Sequence, residues 1–527
     1  MSTTPVGDSP LVAVDLFCGG GGLSTALARA ITNVVLTQTE ADRDEGPGNI
    51  EATELVEQHV ELMAVNHDAT AIETHERNHP WATHLNAKVE ELHPPNVVEP
   101  GSVDILVAAP ECTHFSSARG GKPVKEQLRA SPMHVLDWVG KLQPRTLLLE
   151  NVPEFRSWGP IVDGSPTRDG SKFEAWKAQL EADRYSVVHQ TLNAANYGDA
   201  TSRRRFFVLG RRDYQPAFPE PTHSKDGAVP GTEPWRSAAD ILDWSDPGES
   251  IWQRSRPLCA NTMERIAAGI RDHCDDRLAA YADAVSQLTA EDVAALQDDV
   301  VDVTEVEDAV VGRDDPFLVA GPAAVPDTDC STALSVPMVM GQHSNARAKD
   351  ATESPVPTVA TSGAIHYIDA ETFVLPRNGA FRGIHSNATY KPDERPLHTV
   401  TAKNHDGHLV SPFLVEYYGN SDTESVESPL PTVTTKDRHA LCVPAMYPWG
   451  LDLRYRMLQP GELADAQGFP SDYEFAGNKT ETTAQIGNAV PVNLGKALCR
   501  SLLTPTAQPT LSSYEQEPAG AEGPADD

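Results

Sequence analysis

The sequence has little cysteine and no long apolar run, and both shortages narrow the classes of protein it can belong to. Its 7 cysteines in 527 residues are scattered and include no Cys-x-x-Cys pair. This argues against a disulfide framework or a cysteine zinc site and is typical of a reducing cytoplasm. No segment is apolar over a membrane-spanning length and the start lacks signal-peptide character, so we expect a soluble protein of two or three domains.

Basic residues are also scarce. The sequence has 42 basic residues, 13 Lys and 29 Arg, and 76 Asp and Glu, which leaves a net charge of −34. Such acidity ordinarily argues against a polyanionic partner. However, a surface poor in lysine and rich in carboxylates also keeps a protein soluble in molar salt, because exposed carboxylates retain water and counterions. We therefore interpret the acidity as an adaptation of a halophilic organism, or of its virus, and not as a property of the ligand.

Apolar, β-branched runs alternate with helical patterns in the amino-terminal third. This alternation predicts an α/β fold with a doubly wound sheet. The predicted strands are residues 11–17, 61–68, 103–109, 145–152, 185–193 and 204–212, and residues 39–60 are interpreted as an acidic surface insertion.

A glycine run follows the first predicted strand, in "DLFCGGGGLS" at residues 15–24. Glycine allows a backbone to approach a ligand closely, and the amides that begin the next helix suit a carboxylate or phosphate. A nucleotide, a nicotinamide or S-adenosylmethionine would each fit. The spacing is not Gly-x-Gly-x-x-Gly with an acid about twenty residues on, which disfavours a dehydrogenase.

Cys112 stands alone in "AAPECTHFSSARGG" at residues 108–121. Most single cysteines of intracellular proteins are small buried apolar residues. Cys112, however, follows the carboxyl end of the strand at 103–109, and ligands of open α/β sheets bind at that edge. Its position therefore favours a functional role.

The pattern changes near residue 216, where prolines and short β-like runs replace the alternation. A unit recurs three times with Thr-Val pairs 41 and 33 residues apart, and unequal spacing argues for a β-rich domain rather than a solenoid or propeller. We interpret one histidine in each copy as a satisfied turn residue. The units span 353–368, 394–410 and 427–443, with pairs beginning at Thr358, Thr399 and Thr432 and histidines at His366, His408 and His439.

Further motifs are "ENV" at 150–152, "TSRRR" at 201–205, "RMLQPGELADAQGFP" from 456 and "GNAV" at 487–490. With the glycine run and the segment 110–116, this set resembles the DNA (cytosine-5)-methyltransferase family, in the family's order. The resemblance covers residues 10–212 and 450–503. It implies a Rossmann-like S-adenosylmethionine-dependent domain with an inserted target-recognition domain. We expect catalytic parts at 1–215 and 446–505, recognition at 216–445, and a disordered acidic tail at 506–527.

The resemblance implies that Cys112 adds to C6 of cytosine, that Glu150 protonates N3, and that Arg205 and Arg203 hold the base at O2. The base would be flipped from double-stranded DNA. Asn66 and His67 stand where the family usually has an acid, with Asp68 next, and Thr201 replaces a usual glutamine. The residues implied for S-adenosylmethionine are Phe17, Gly19, Gly21, Gly22, Leu23, Asn66, His67, Pro110, Asn488 and Val490.

Two alternatives stay open. A tRNA cytosine-5 methyltransferase uses the same catalytic residues, but its relatives are compact and the long variable region here favours DNA. A catalytically inactive DNA-binding module would be expected to lack Cys112, Glu150 or the glycine run, and all are present. We expect a monomer, with a cognate restriction endonuclease as a candidate partner. Residues Lys403, Asn404, Lys436 and Arg438 are candidates for contacts with base edges in the major groove.

Overall fold

The computed structural model describes most of the two segments that carry the motifs and part of the region between them. Among the described residues, no helix is both long and apolar enough to cross a membrane. The described residues are 10–42, 52–110, 131–162, 165–246, 248–251, 254–273, 282, 285, 338–340, 349–350, 364–366, 373–376, 407–410, 413–416, 423–426, 428–433, 435, 439–447 and 450–504.

Seven strands form one central sheet, which confirms the predicted α/β fold. The strands are β1 (Leu11–Leu16), β2 (Val60–Asn66), β3 (Thr83–Asn86), β4 (Ile105–Ala108), β5 (Thr146–Asn151), β6 (Ser186–Asn193) and β7 (Arg204–Arg211). Their order is β3-β2-β1-β4-β5-β7-β6. The order reverses between β1 and β4, so a crevice opens there at the carboxyl ends of the strands. The glycine turn and Pro110 lie at this edge.

The last two strands depart from a fully parallel sheet. β1 to β5 pair in parallel, whereas β7 is antiparallel to both β5 and β6. Residues 194–203 join β6 to β7 and include only the short 3-10 turn Ala194–Tyr197. A parallel pairing needs a longer crossover, so this connection enforces the antiparallel one. As a result, the start of β7 lies beside the end of β5.

Helices cover both faces of the sheet. One core cluster lies between the sheet and α1 (Gly22–Asp42), α2 (Ala52–His59) and α9 (Val492–Leu503). The other lies under α4 (Ser131–Leu142) and α5 (Ser171–Ala182). Val56 of α2 is buried in the first cluster. The prediction that residues 39–60 form a surface insertion is therefore wrong for residues 52–60, because α2 packs against the core and β2 begins at Val60.

A second, antiparallel sheet joins parts of the variable region to the carboxyl-terminal segment. Its order is β8 (Glu249–Ser250), β12 (Gly450–Met457), β11 (His439–Tyr447), β9 (Phe413–Glu416) and β10 (Thr423–Ser425). β11 and β12 form one hairpin, so the predicted domain boundary at residue 446 falls inside a single supersecondary unit. The division into domains stays a prediction.

Short elements complete the described structure. The histidines of the three repeats all lie in strands. His439 is buried, and burial lowers the pKa of its imidazole to about 4. The interpretation of the three histidines as turn residues is therefore wrong, because each lies in a strand. The remaining elements are the helices α3 (Ala69–Asn78), α6 (Ala260–His273), α7 (Pro460–Ala466) and α8 (Lys479–Asn488), the one-turn helix Pro94–Val97, and the strands Ile161–Val162, Ser165–Pro166, His223–Ser224, Glu233–Pro234, Met338–Met340, Lys349–Asp350, Ala364–His366, Phe373–Pro376 and Gly407–Val410.

Candidate active site

The glycine turn connects β1 to α1 through backbone conformations that L-residues rarely adopt. Phe17 has a φ of 61°, Gly19 of 54° and Gly21 of 93°. The amide of Gly21 donates to the Cys18 carbonyl at 3.0 Å, which closes the turn. A positive φ is costly for a residue as bulky as Phe17, and such strain concentrates at ligand sites. The turn is therefore a candidate binding site on backbone geometry as well as on sequence.

Most of the glycines are required by protein packing. A Cβ on Gly21 would lie 2.4 Å from the Tyr473 hydroxyl, and one on Gly22 would lie 2.8 Å from the Val490 carbonyl oxygen. At Gly19 the nearest described atom is the Phe17 oxygen, 4.0 Å away. Among the described residues, Gly19 thus faces open space, whereas Gly21 and Gly22 admit the carboxyl-terminal segment. Packing against the protein is thus a second reason for glycine at positions 21 and 22, besides the predicted approach of a ligand.

The other residues expected at the cofactor occupy different environments. Leu23 and Val490 are buried in the core beneath the turn, whereas Asn488, the last residue of α8, is exposed. Asn66 ends β2, beside β1, and its side-chain oxygen accepts from the Asp68 amide at 2.8 Å. The Asp68 carboxylate caps α3. Asn66 and the exposed His67 therefore stay predictions as cofactor residues, and Asp68 has a structural task.

Glu150 and Arg205 meet at the carboxyl end of β5. Because β7 runs antiparallel to β5, its first residues lie beside Glu150 although they are distant in sequence. Arg205 Nε lies 3.0 Å from Glu150 Oε1, and both side chains are largely buried. The pair presents a guanidinium and a carboxyl group side by side.

Burial raises the pKa of the Glu150 carboxyl, and the charges of Arg205 and Arg203 oppose that rise. Desolvation disfavours the carboxylate, while a nearby cation favours it. A carboxyl group with a raised pKa can donate a proton near neutral pH, as general acids do. The adjacent guanidinium would stabilise the negative charge that remains after the transfer.

Arg203 is engaged elsewhere. It is 2% exposed, and its guanidinium donates to the Val433 carbonyl at 2.5 Å and to the Gly487 carbonyl at 2.9 Å. Val433 belongs to the third repeat and Gly487 to the "GNAV" motif. Arg203 therefore connects the start of β7 to the third repeat and to the "GNAV" motif, close enough to Glu150 to act on its pKa. Direct contact between Arg203 and a base stays a prediction.

The third repeat contacts the start of β7 at a second point. Thr201 pairs with Leu430 in an isolated bridge, and its hydroxyl donates to the Pro431 carbonyl at 3.2 Å. The Leu430 amide donates to the Ala200 carbonyl at 2.8 Å. The threonine in place of the family's usual glutamine thus binds the variable region.

Cys112 lies outside the described residues, but Pro110, two residues before it, forms a hydrogen bond with the strand that carries Glu150. Asn151, which follows Glu150, donates through its side-chain amide to the Pro110 carbonyl at 3.2 Å. The Asn151 side-chain oxygen accepts from the Val152 amide at 2.9 Å. The "ENV" motif therefore carries the carboxyl group of Glu150 and also binds Pro110, two residues before Cys112. Lys403, Asn404, Lys436 and Arg438 also lie outside the described residues.

Three buried ionisable side chains are not among the predicted site residues. Arg456 and Glu462 form a two-pronged ion pair at 2.7 and 2.8 Å between β12 and α7. Asp15 is fully buried in β1, and burial raises the pKa of its carboxyl to about 7. The sequence signals for these residues are the charged side chains within the motif that begins at Arg456 and the single acid in the apolar strand β1.

A family model for the C-5 cytosine-specific DNA methylase matches residues 11–247 and 348–504. The type II methyltransferase M.AgeI of Thalassovita gelatinovora is 27% identical over 42% of this chain and 45% of its own length. M.SacI of Streptomyces achromogenes is 26% identical over 46% of this chain and 60% of its own length. DNA (cytosine-5)-methyltransferase 3 of Arabidopsis thaliana is 23% identical over 80% of this chain and 24% of its own length. The chain spans less than two thirds of the length of these relatives. By the match to the family model, it belongs to the C-5 cytosine-specific DNA methylase family.

Proposed function

We propose that this protein transfers a methyl group from S-adenosylmethionine to C5 of cytosine in double-stranded DNA, through a covalent adduct with Cys112. The observation that carries the proposal is the buried pair of Glu150 and Arg205, which lies next to the residue that binds Pro110, two residues before that cysteine. Family membership supports the same reaction.

The proposed first step is the addition of the Cys112 thiolate to C6 of the ring. Cytosine C5 is a poor nucleophile until this addition breaks the aromaticity of the ring. C5 and C6 are stacked inside a duplex, so the target base must first be flipped out, at a cost of about a few kcal/mol. Loss of the C5 proton and of Cys112 at the end restores the thiolate.

Glu150 and Arg205 would assist that addition from the far edge of the ring. Glu150 transfers its proton to N3 as negative charge develops there. Arg205 donates hydrogen bonds to O2, the carbonyl oxygen on the ring carbon next to N3. Arg205 Nε lies 3.0 Å from Glu150 Oε1, so the two groups can reach N3 and O2 on the same edge of one base. The proton donor and the charge stabiliser are thus held in place before the base arrives.

The glycine turn fits S-adenosylmethionine, which supplies an electrophilic methyl group when bound. Three observations support the fit: the open space at Gly19, the strained backbone of Phe17, and the exposed Asn488 next to the segment that closes on the turn. Phe17, Gly19, Asn66 and Asn488 would hold the cofactor. Leu23 and Val490 would support the turn from the core.

Duplex DNA is the proposed substrate, and tRNA is the alternative. The long region between the two catalytic segments favours DNA, since a recognition domain needs such length. The type II names of two relatives suggest a cognate restriction endonuclease as a partner. Incubation with labelled S-adenosylmethionine and either tRNA or duplex DNA separates the substrates.

The test of the mechanism is Cys112→Ser, with Cys259→Ser as a matched control at an exposed cysteine outside the site. We expect the first variant to lose methyl transfer and keep DNA binding, because a hydroxyl is a far poorer nucleophile of similar size. The control should methylate normally. Wild-type protein should also form a covalent complex with a duplex that carries 5-fluorocytosine, which has no removable C5 proton. Robust methylation by Cys112→Ser would refute the covalent route.

A further inference from the structure

A chain of hydrogen bonds runs from a half-buried histidine to the buried carboxyl group of Asp15. The Ser24 hydroxyl lies 2.7 Å from Asp15 Oδ2 and 2.9 Å from His75 Nε2. His75 Nδ1 lies 2.8 Å from His84 Nε2. Asp15, Ser24 and His75 are fully buried, whereas His84 is partly exposed. These four residues, named here the Asp15 relay, form a continuous polar path into the core.

The relay ends directly behind the glycine turn. Asp15 precedes Phe17 by two residues, and Ser24 belongs to the first turn of α1. Among the described residues, Asp15 forms no ion pair, and its Oδ1 atom is buried without a hydrogen-bond partner. A buried carboxylate without a cation is costly, so the charge of Asp15 depends on whether a proton reaches it through the relay.

The donors and acceptors of the relay allow two arrangements with neutral imidazoles. A hydroxyl has one proton and a neutral imidazole has one, so each link fixes the next. If Asp15 is ionised, His84 Nε2–H donates to His75, His75 Nε2–H donates to Ser24, and Ser24 donates to Asp15. If Asp15 is protonated at Oδ2, every donor reverses, and the proton of His75 moves to Nδ1.

We propose that the Asp15 relay conducts a proton between solvent and Asp15, and that the charge of Asp15 sets how strongly the glycine turn binds the S-adenosylmethionine cation. In the inward step, a proton from water adds to His84 Nδ1. The Nε2 proton of His84 passes to His75 Nδ1, the Nε2 proton of His75 passes to Ser24, and the Ser24 proton passes to Asp15. One proton is transferred, and both imidazoles end neutral.

Among the described residues near the relay, the other groups with a shifted pKa keep one charge state near neutral pH. Burial raises the pKa of the Cys18 and Cys499 thiols and of the Tyr473 phenol, so all three stay neutral. Burial lowers the pKa of His75 and His84 and lowers that of His79 to about 4. Glu76 faces His84 from α3 and opposes that effect. With its pKa raised to about 7, Asp15 is the group that titrates.

The consequence for binding depends on ligand charge and rests on the proposed function. S-adenosylmethionine carries a sulfonium, an ammonium and a carboxylate, whereas the product S-adenosylhomocysteine lacks the sulfonium charge. An ionised Asp15 in a low-dielectric site attracts the net cation. The affinity for S-adenosylmethionine should therefore rise about fivefold or more as pH increases from 6 to 8. The affinity for S-adenosylhomocysteine should change less.

The relay itself is tested in the ligand-free protein by nitrogen-15 NMR of histidine. Signals of His75 and His84 are assigned by their loss in His75→Gln and His84→Gln. We expect His75 to change from the Nε2–H to the Nδ1–H tautomer as pH falls through about 7, without becoming charged. Ser24→Ala should abolish this change. Thr25→Ala, which removes the neighbouring bond between Thr25 and His79, should preserve it.

A single His75 tautomer at all pH values, or an imidazolium that forms near pH 7, would overturn the relay. The second measurement is the calorimetric affinity of both ligands at pH 6 and pH 8, in wild type and Asp15→Asn. The variant should lose the difference in pH dependence between the ligands. Equal pH dependence of the two ligands in wild type would overturn the link to the cofactor. If neither S-adenosylmethionine nor S-adenosylhomocysteine binds, the proposed function is overturned. The tautomer change of His75 is measured without a ligand, so it tests the relay separately.

Discussion

Two buried carboxyl groups lie near the carboxyl ends of strands in the central sheet, and their surroundings differ. Asp15 alternates with Ala13 in β1, and Glu150 alternates with Leu148 in β5. Ala13 and Leu148 belong to the same core cluster, so both acids lie on the face covered by α1 and α9. Glu150 has a guanidinium 3.0 Å away, whereas the Asp15 carboxyl group accepts a hydrogen bond from the Ser24 hydroxyl and, among the described residues, has no ion pair.

This difference separates two uses of a buried acid. Burial raises the pKa of both groups. Glu150 can release its proton to a base because the Arg205 cation remains to balance the carboxylate. Among the described residues Asp15 forms no ion pair with a cation, so we expect its ionisation to follow the pH of the solvent. The first arrangement suits a proton donor in a reaction, and the second suits a group that adjusts binding.

The largest effect should follow removal of the acidic proton of Glu150. Glu150→Gln keeps the size and a hydrogen-bond donor but has no proton to transfer, so we expect methylation to slow by about 10²- to 10⁴-fold. The wild-type rate should fall as pH rises through the raised pKa of Glu150, because the protonated form is required. Single-turnover rates measure both effects. Glu154→Gln, four residues on, is the matched control, and a wild-type rate for Glu150→Gln would refute the assignment.

Salt should act on the exposed charges and leave both buried acids unaffected. The net charge of −34 repels DNA and the carboxylates repel one another. Both repulsions act over about 10 Å at 0.1 M salt but only about 3 Å at 1 M. We expect methylation to be slow in dilute buffer and to rise into the molar range, with the fold lost at low salt. Initial rates and circular dichroism between about 0.1 and 3 M KCl measure this. A folded enzyme that is fastest at low salt would refute the halophilic interpretation.

Alanine variants of Arg203 and Arg205 should lose different properties: the first mainly stability, the second mainly methylation rate. Arg203→Ala leaves the Val433 and Gly487 carbonyls buried without their donor, so we expect the free energy of unfolding to fall by about 2–4 kcal/mol. Arg205→Ala should slow methylation with a smaller loss of stability. Denaturant unfolding and single-turnover rates of both variants provide the comparison. The reverse result would make Arg203 the residue that contacts the base.

The smallest effect should be a gain of stability in Asp15→Asn at alkaline pH. The folded pKa of Asp15 is about 7 against an ordinary 3.8, so the folded protein holds a proton that the unfolded chain has released. Wild type therefore loses stability as pH rises from about 4 to about 7. Asparagine removes that loss, and we expect it to stabilise the protein by about 1–3 kcal/mol at pH 8 and by less at pH 5. Equal differences at the two pH values would contradict the prediction.

The sequence by itself determined the features that depend on local pattern. Apolar runs and their breaks predicted six of the seven strands of the sheet to within a few residues, because most of these strands are buried and the turns between them are polar. The glycine run and "ENV" were placed at strand ends for the same reason. The seventh strand, β3 (Thr83–Asn86), is short and partly exposed, and no apolar run predicted it. The order of motifs identified the family. The resemblance implied that Arg203 and Arg205 act on the same base as Glu150, and the charges of both do act on the Glu150 carboxyl group.

Only the tertiary structure decided what each of those residues contacts. Arg203 binds carbonyl groups 230 and 284 residues away, and no local pattern specifies partners at that distance. Gly21 and Gly22 are small because Tyr473 and Val490 pack against them. The Asp15 relay combines β1, α1, α3 and β3, elements that become neighbours only when the parallel strands pair. A side chain's type sets which bonds it can form, and the fold sets which of those bonds it forms.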